Sequence, residues 1–190
     1  MDAGAVKNRS GDNMFDYQLY FDAYCREHSL SLRLSFSMPE GYGSANGTFD
    51  AETGTVFVNA GMLADRPDYE KAFYLFHELR HALQQRRPEQ FSELVRRSAQ
   101  YVIQYDGTCY KLAGGQYLEC RLEGSEEYFT GLYLGQPYEA DANRSAYEQV
   151  RKLYGNPDGL EELYAFWMPR QPVPDEAYEE VYRLIDEKVK

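Results

Sequence analysis

A chain of 190 residues with 43% hydrophobic content is long enough to bury a real core, and a single compact domain over residues 1–190 is the working expectation. Lys and Arg total 20 against 31 Asp and Glu, a net charge of −11, and a field of that sign repels phosphate backbones and anionic lipid; nucleic acid and membrane are excluded as partners. No apolar run approaches the length of a membrane helix, and the polar stretch Met1 to Met14 has nothing resembling a signal peptide, so a cytoplasmic protein with reduced thiols is expected.

Met14 to Glu27 carries apolar residues at helical spacing and reads as a first helix ending near His28. The period then changes: Leu30, Leu32, Leu34, Phe36 and Met38 alternate with polar residues, a half-buried strand stopped by Pro39. After a glycine-rich loop over Gly41 to Gly47, two short β-like runs flank Asp50 to Gly54, a hairpin in which Gly54 supplies a positive φ. Asp65, Pro67 and Asp68 are start signals for a helix to about Gln85, interrupted by Arg86, Arg87 and Pro88, and Phe91, Leu94 and Val95 suggest a further short helix. Tyr101 to Leu122 reads as a three-stranded meander with turns at Asp106-Gly107 and Gly114-Gly115; the second turn sets Cys109 opposite Cys120. Glu123 to Gln136 has no clean period. Pro137 opens a helix to Leu153 closed by Gly155, and Leu160 to Trp167 and Asp175 to Val189 read as two last helices. The fold class is α+β, with 101–122 as an inserted meander and 156–190 as a C-terminal helical extension.

The chemistry concentrates in His77-Glu78-Leu79-Arg80-His81. Histidines at i and i+4 stand one above the other on one helix face, which suits a tetrahedral zinc ion bound at about 2.0–2.2 Å. Glu78, beside the first histidine, is badly placed to bind the metal but well placed to take a proton from a water the metal activates. Phe73, Leu75, Phe76, Leu79, Ala82 and Leu83 make this helix apolar on more than one side, so the three polar groups are expected to be largely buried and to need partners. A chance match in an ordinary amphipathic helix is the competing reading.

A catalytic zinc needs a third protein ligand and one open position. His28, at the end of the first helix, suits a capping role. Glu139, Asn143, Ala146 and Val150 fall along one stripe of the later helix, and Ala142 and Ala146 allow close approach to the motif helix. Glu139 is therefore the candidate third ligand, and Asn143, one turn on, the candidate hydrogen-bond partner for the outer nitrogen of a ligand histidine. Asp141 points to a different flank. An acidic residue in a helix first turn is also favoured by the dipole alone, so a structural role for Glu139 stays open.

The combination of HELRH, the lead-in FYLF and the later EADANRSA resembles the ImmA/IrrE-like family of soluble metallopeptidases, relatives of the gluzincins. In that family a Glu opening the second motif is the third zinc ligand, and Glu139, Asp141, Ala142, Asn143 and Ala146 match the motif position by position; Ser145 departs from the usual Phe. The resemblance covers roughly residues 48–154 and implies a zincin-like fold: a small mixed or antiparallel sheet packed on the HExxH helix and a second ligand-bearing helix. Glu139 lies 58 residues after His81, long for this family, and the meander fills the gap.

The expected function is hydrolysis of peptide bonds in a peptide or protein substrate, with Zn2+ held by His77, His81 and Glu139 and Glu78 as general base. A substrate strand would add to an exposed sheet edge, for which Thr55 to Asn59 is a candidate. Tyr133, Tyr138, Tyr147 and Arg144 are considered as oxyanion donors and none is chosen. The alternative is a zinc-containing regulatory or interaction protein of a bacterium or mobile element with little proteolytic activity.

Overall fold

In the computed structural model, which describes residues 15–189, the first helix starts where its cap chemistry lies. Asp16 accepts a hydrogen bond from the Leu19 amide at 3.0 Å, satisfying one of the donors that a helix N-terminus leaves free, and α1 spans Tyr17–Glu27. The expected start at Met14, and the Met1 to Met14 stretch read for a signal peptide, lie outside the described residues.

The long alternating run contributes only a short strand, β1 (Arg33–Ser35), because ladder pairing exists only where a partner lies opposite. Beyond it the Ser37 amide turns back to Ser35 Oγ at 3.2 Å. Strands β2 (Gly47–Asp50) and β3 (Thr55–Val58) form the expected antiparallel hairpin, with Gly47 opposite Val58 and Asp50 opposite Thr55. The Asp50 carboxylate accepts from the Glu52 and Thr53 amides, and Gly54 takes φ +65°, where a side chain would be strained. The sheet order is β1-β3-β2, with β1 parallel and β2 antiparallel to β3. This corrects the expectation of a free edge at Thr55 to Asn59: β3 is the central strand, paired on both sides, and β2 is an edge.

The motif helix, α2 (Asp68–Arg86), is buried on more than one side, as its composition requires; Phe73, Leu75, Leu79, Ala82 and Leu83 are each 1% exposed or less. A 3-10 turn at Pro88–Gln90 leads to α3 (Glu93–Ser98), capped by Ser92 Oγ. The meander follows as β4 (Tyr101–Ile103), β5 (Thr108–Ala113) and β6 (Gln116–Arg121), antiparallel in that order, with Cys109 directly opposite Cys120 and both thiols free. The stretch without a clean period holds a helix, α4 (Glu126–Leu134), capped by Ser125 Oγ. Only Phe129 and Leu132 of it are buried, so too few apolar contacts existed to set a readable period. Helices α5 (Pro137–Tyr154), α6 (Leu160–Phe166) and α7 (Asp175–Lys188) complete the chain, and Gly155 closes α5 at φ +74°.

Among the described residues two apolar cores result. One gathers α1, β3 and α2 with Ala146, Val150 and Leu160 of α5 and α6. The other joins the meander to α4 and α7 through Tyr101, Ile103, Cys109, Phe129, Leu132, Tyr178, Val181, Tyr182 and Ile185. The C-terminal helices thus serve different cores, α6 the first and α7 the second. The junction matters for the site. Gln136 donates to the Tyr101 carbonyl at 2.6 Å and Ser98 Oγ accepts from the Tyr138 amide at 3.1 Å, so the second core's border holds the N-terminus of α5. The fold is α+β, and among the described residues no helix is long and apolar enough to cross a membrane.

Candidate metal centre

The first turn of α5 lies against the middle of α2 because nothing larger than a methyl group separates them at Ala142 and Ala146, both fully buried. That approach brings Glu139 to the two histidines. His77 Nε2 and His81 Nε2 are 3.0 Å apart, and each is 3.3 Å from Glu139 Oε2. An ion bound tetrahedrally at about 2.0–2.2 Å requires donor separations of roughly 3.3–3.6 Å, so the triangle is already close to the dimensions of three corners of such a site. The donor set is therefore one that can hold a metal ion. Its exposure is graded: 8% for the His81 side chain, 16% for His77 and 41% for Glu139.

The electrostatics agree with a cation site. Burial works against a charged His81, but the Glu139 carboxylate and its hydrogen bond outweigh burial and hold the imidazole up at about 9. Burial likewise opposes ionisation of Glu139, yet the two imidazoles keep its carboxyl well below the usual range. A carboxylate that relies on a nearby positive charge is thus built into the trio. Glu78 differs: burial raises its carboxyl, the two imidazoles only partly offset this, and Glu139 adds to the rise.

Gly47 on β2 explains how Glu78 is held. A Cβ at that position would meet Glu78 Cγ at 2.8 Å, the Phe57 carbonyl oxygen at 3.0 Å and Glu78 Oε1 at 3.2 Å. The edge strand therefore lies directly over the Glu78 side chain, and only glycine admits it. Gly47→Ala is expected to cost about 1–3 kcal/mol through overpacking, read as a lower denaturation midpoint. A variant as stable as the parent would show that strand and carboxylate do not meet.

Two expectations are corrected by the orientation of α5. Asn143 donates to the Trp167 carbonyl at 3.2 Å, and the group on the outer nitrogen of His81 is Gln84, whose Oε1 lies 2.8 Å from His81 Nδ1. Asn143 is turned toward the segment after α6, whereas Gln84 shares α2 with His81 and stands three residues on. Asp141 does not point to a separate flank: it accepts from Gln84 Nε2 at 2.8 Å and from Arg80 Nε and Nη2 at 2.8 and 3.0 Å. The sequence signal for Gln84 was a polar residue inside the apolar stretch of α2, where it is 6% exposed and must find partners.

The His81 ring also stacks on Tyr138, with centroids 4.3 Å apart and planes at 15°. His77 Nδ1 is buried and has no hydrogen-bond partner among the described residues. His28 caps α1 and packs on Tyr24, away from the trio. Of the donors considered for an oxyanion, Tyr147 is engaged with Glu161 and Arg144 is exposed.

The protein is thus an α+β chain whose two longest helices present two imidazoles and a carboxylate to a single point. Comparisons of the chain with protein-family models, with curated proteins and with solved structures returned no significant match.

Proposed function

We propose that this chain is a zinc-dependent peptidase of the HExxH type with a zincin-like site, akin to the ImmA/IrrE-like metallopeptidases. The observation that carries the reading is the convergence of His77, His81 and Glu139 at 3.0–3.3 Å, with Glu78 alongside on the same helix. Two imidazoles, each of which would bind through a ring nitrogen that has given up its proton, and one carboxylate suit zinc in a catalytic rather than a structural role. Bound there, zinc would supply Lewis acidity, polarising a carbonyl and lowering the pKa of water toward neutrality.

The chain's own residues account for the rest. Glu78, buried and with its proton affinity raised, takes the proton of the attacking water and delivers it to the leaving amine. Strand β2 runs above Glu78 at the sheet edge, where an extended peptide can pair with its free backbone groups and lie across the site.

The test starts from protein purified without added zinc. Elemental analysis is expected to give about one zinc per chain, and a mixed peptide library is expected to be cleaved, with cleavage lost on chelation and restored by zinc. His81→Ala is expected to lose the metal. Folded wild-type protein that binds no zinc, or cleavage indifferent to chelation, overturns the proposal; zinc binding without cleavage supports the regulatory alternative.

A further inference from the structure

Resting on that reading, we infer that Gln84 is a positioning residue that fixes the tautomer and aim of His81, so that its Nε2 lone pair faces His77 and Glu139. The hydrogen-bond pattern leaves one orientation for the amide. Gln84 Nε2 lies 2.9 Å from the Tyr138 carbonyl oxygen and 2.8 Å from Asp141 Oδ2, and both of these only accept. The two amide protons are therefore committed, and the atom left to face His81 Nδ1 at 2.8 Å is Oε1, an acceptor. The nitrogen opposite it must carry the proton. With the proton kept on Nδ1, the ring that gives up its other proton to a metal has its free lone pair on Nε2, the atom of the donor triangle.

The amide is itself held. Arg80 grips Asp141 with a two-pronged fork, and the Arg80 guanidinium rests on the Phe91 ring at 4.6 Å. A chain of contacts thus runs from Phe91 through Arg80, Asp141 and Gln84 to His81, linking α2 to α5 behind the donors. Among the described residues His77 has no counterpart to Gln84 at its Nδ1. The outer nitrogens of the two rings therefore differ: that of His81 is engaged by Gln84, and that of His77 has no partner among the described residues. A neutral amide also orients the ring without the extra negative charge that a carboxylate would place against it.

The experiment compares wild type, Gln84→Met, and the double variant Gln84→Glu with Asp141→Asn. Methionine keeps length and volume but offers no acceptor oxygen. The double variant keeps the net charge and restores an acceptor against Nδ1, with a donor from residue 141, but leaves the Tyr138 carbonyl without its donor. Zinc affinity is measured by chelator competition, and nitrogen-15 NMR of the histidine rings in the zinc-loaded proteins reports which nitrogen bears the proton. Gln84→Met is expected to bind zinc about 10–100-fold more weakly and to lose the slowly exchanging His81 Nδ1 proton, with the double variant recovering the proton signal and part of the affinity. Wild-type affinity and an unchanged proton signal in Gln84→Met would overturn the role of Gln84 while leaving the zinc peptidase reading intact. Absence of zinc binding by wild type overturns both. A wild-type spectrum with zinc on His81 Nδ1 and the proton on Nε2 refutes the inference whatever the variants do.

Discussion

On the proposed zinc-peptidase reading, Glu78→Gln is expected to abolish most hydrolysis while leaving the zinc in place. The two properties separate because Glu78 is outside the donor triangle: the three atoms that converge are His77 Nε2, His81 Nε2 and Glu139 Oε2. The amide is isosteric with the carboxyl group, so the tight contact with the edge strand at Gly47 is preserved and the helix is not disturbed. What is lost is a group that can take a proton and return it. General-base catalysis is worth about 10²–10⁴ in rate, or roughly 3–5.5 kcal/mol of barrier. Elemental analysis beside a peptide-cleavage assay checks this, and a variant that cleaves as fast as wild type would remove Glu78 from the chemistry.

Phe129→Ala is expected to destabilise the protein by about 3–5 kcal/mol, the usual cost of emptying a buried aromatic site. The ring is 1% exposed, and two glycines are shaped around it: a Cβ at Gly107 would meet Phe129 Cε2 at 2.9 Å, and one at Gly124 would meet the same atom at 2.8 Å. Gly107 also sits at φ +84° with the Leu122 carbonyl oxygen 2.7 Å from a would-be Cβ, so this turn cannot close over the cavity by taking a larger residue. The cavity would lie where the meander, α4 and α7 join, and the melting temperature is expected to fall by roughly 6–20 °C. The consequence reaches the candidate metal centre, because Gln136 and Ser98 at the border of this core hold the turn of α5 that carries Glu139. A loss below about 1 kcal/mol would mean that the second core collapses around the gap or contributes little.

Local patterns carried much of the architecture. The 3.6-residue period of α2 and α5, the Pro137 start, the Gly155 stop and the turn glycines are interactions between near neighbours, and the elements lie where those signals put them. The same holds for His77 and His81, since a spacing of four on a helix places two side chains together without help from the rest of the chain. Cys109 and Cys120 face each other for an equally local reason, the two-residue turn between them.

Distant partners were another matter. Strand β1 is short because a ladder needs an opposite strand, and α4 escaped notice because its two buried residues gain meaning only from the core they enter. The free edge fell on β2 rather than β3 because strand order depends on β1 returning alongside β3 in parallel, a pairing across more than twenty residues of chain. Rotation of α5 about its own axis gave Asn143 to Trp167 and Asp141 to Gln84, and a stripe of small residues specifies that rotation only to within a residue or so. Residue types and helical spacing sufficed to name the atoms that could meet a metal; which atoms stand behind them was settled by packing between helices, because a hydrogen bond tolerates an error of a few tenths of an ångström and a helical wheel does not resolve so little.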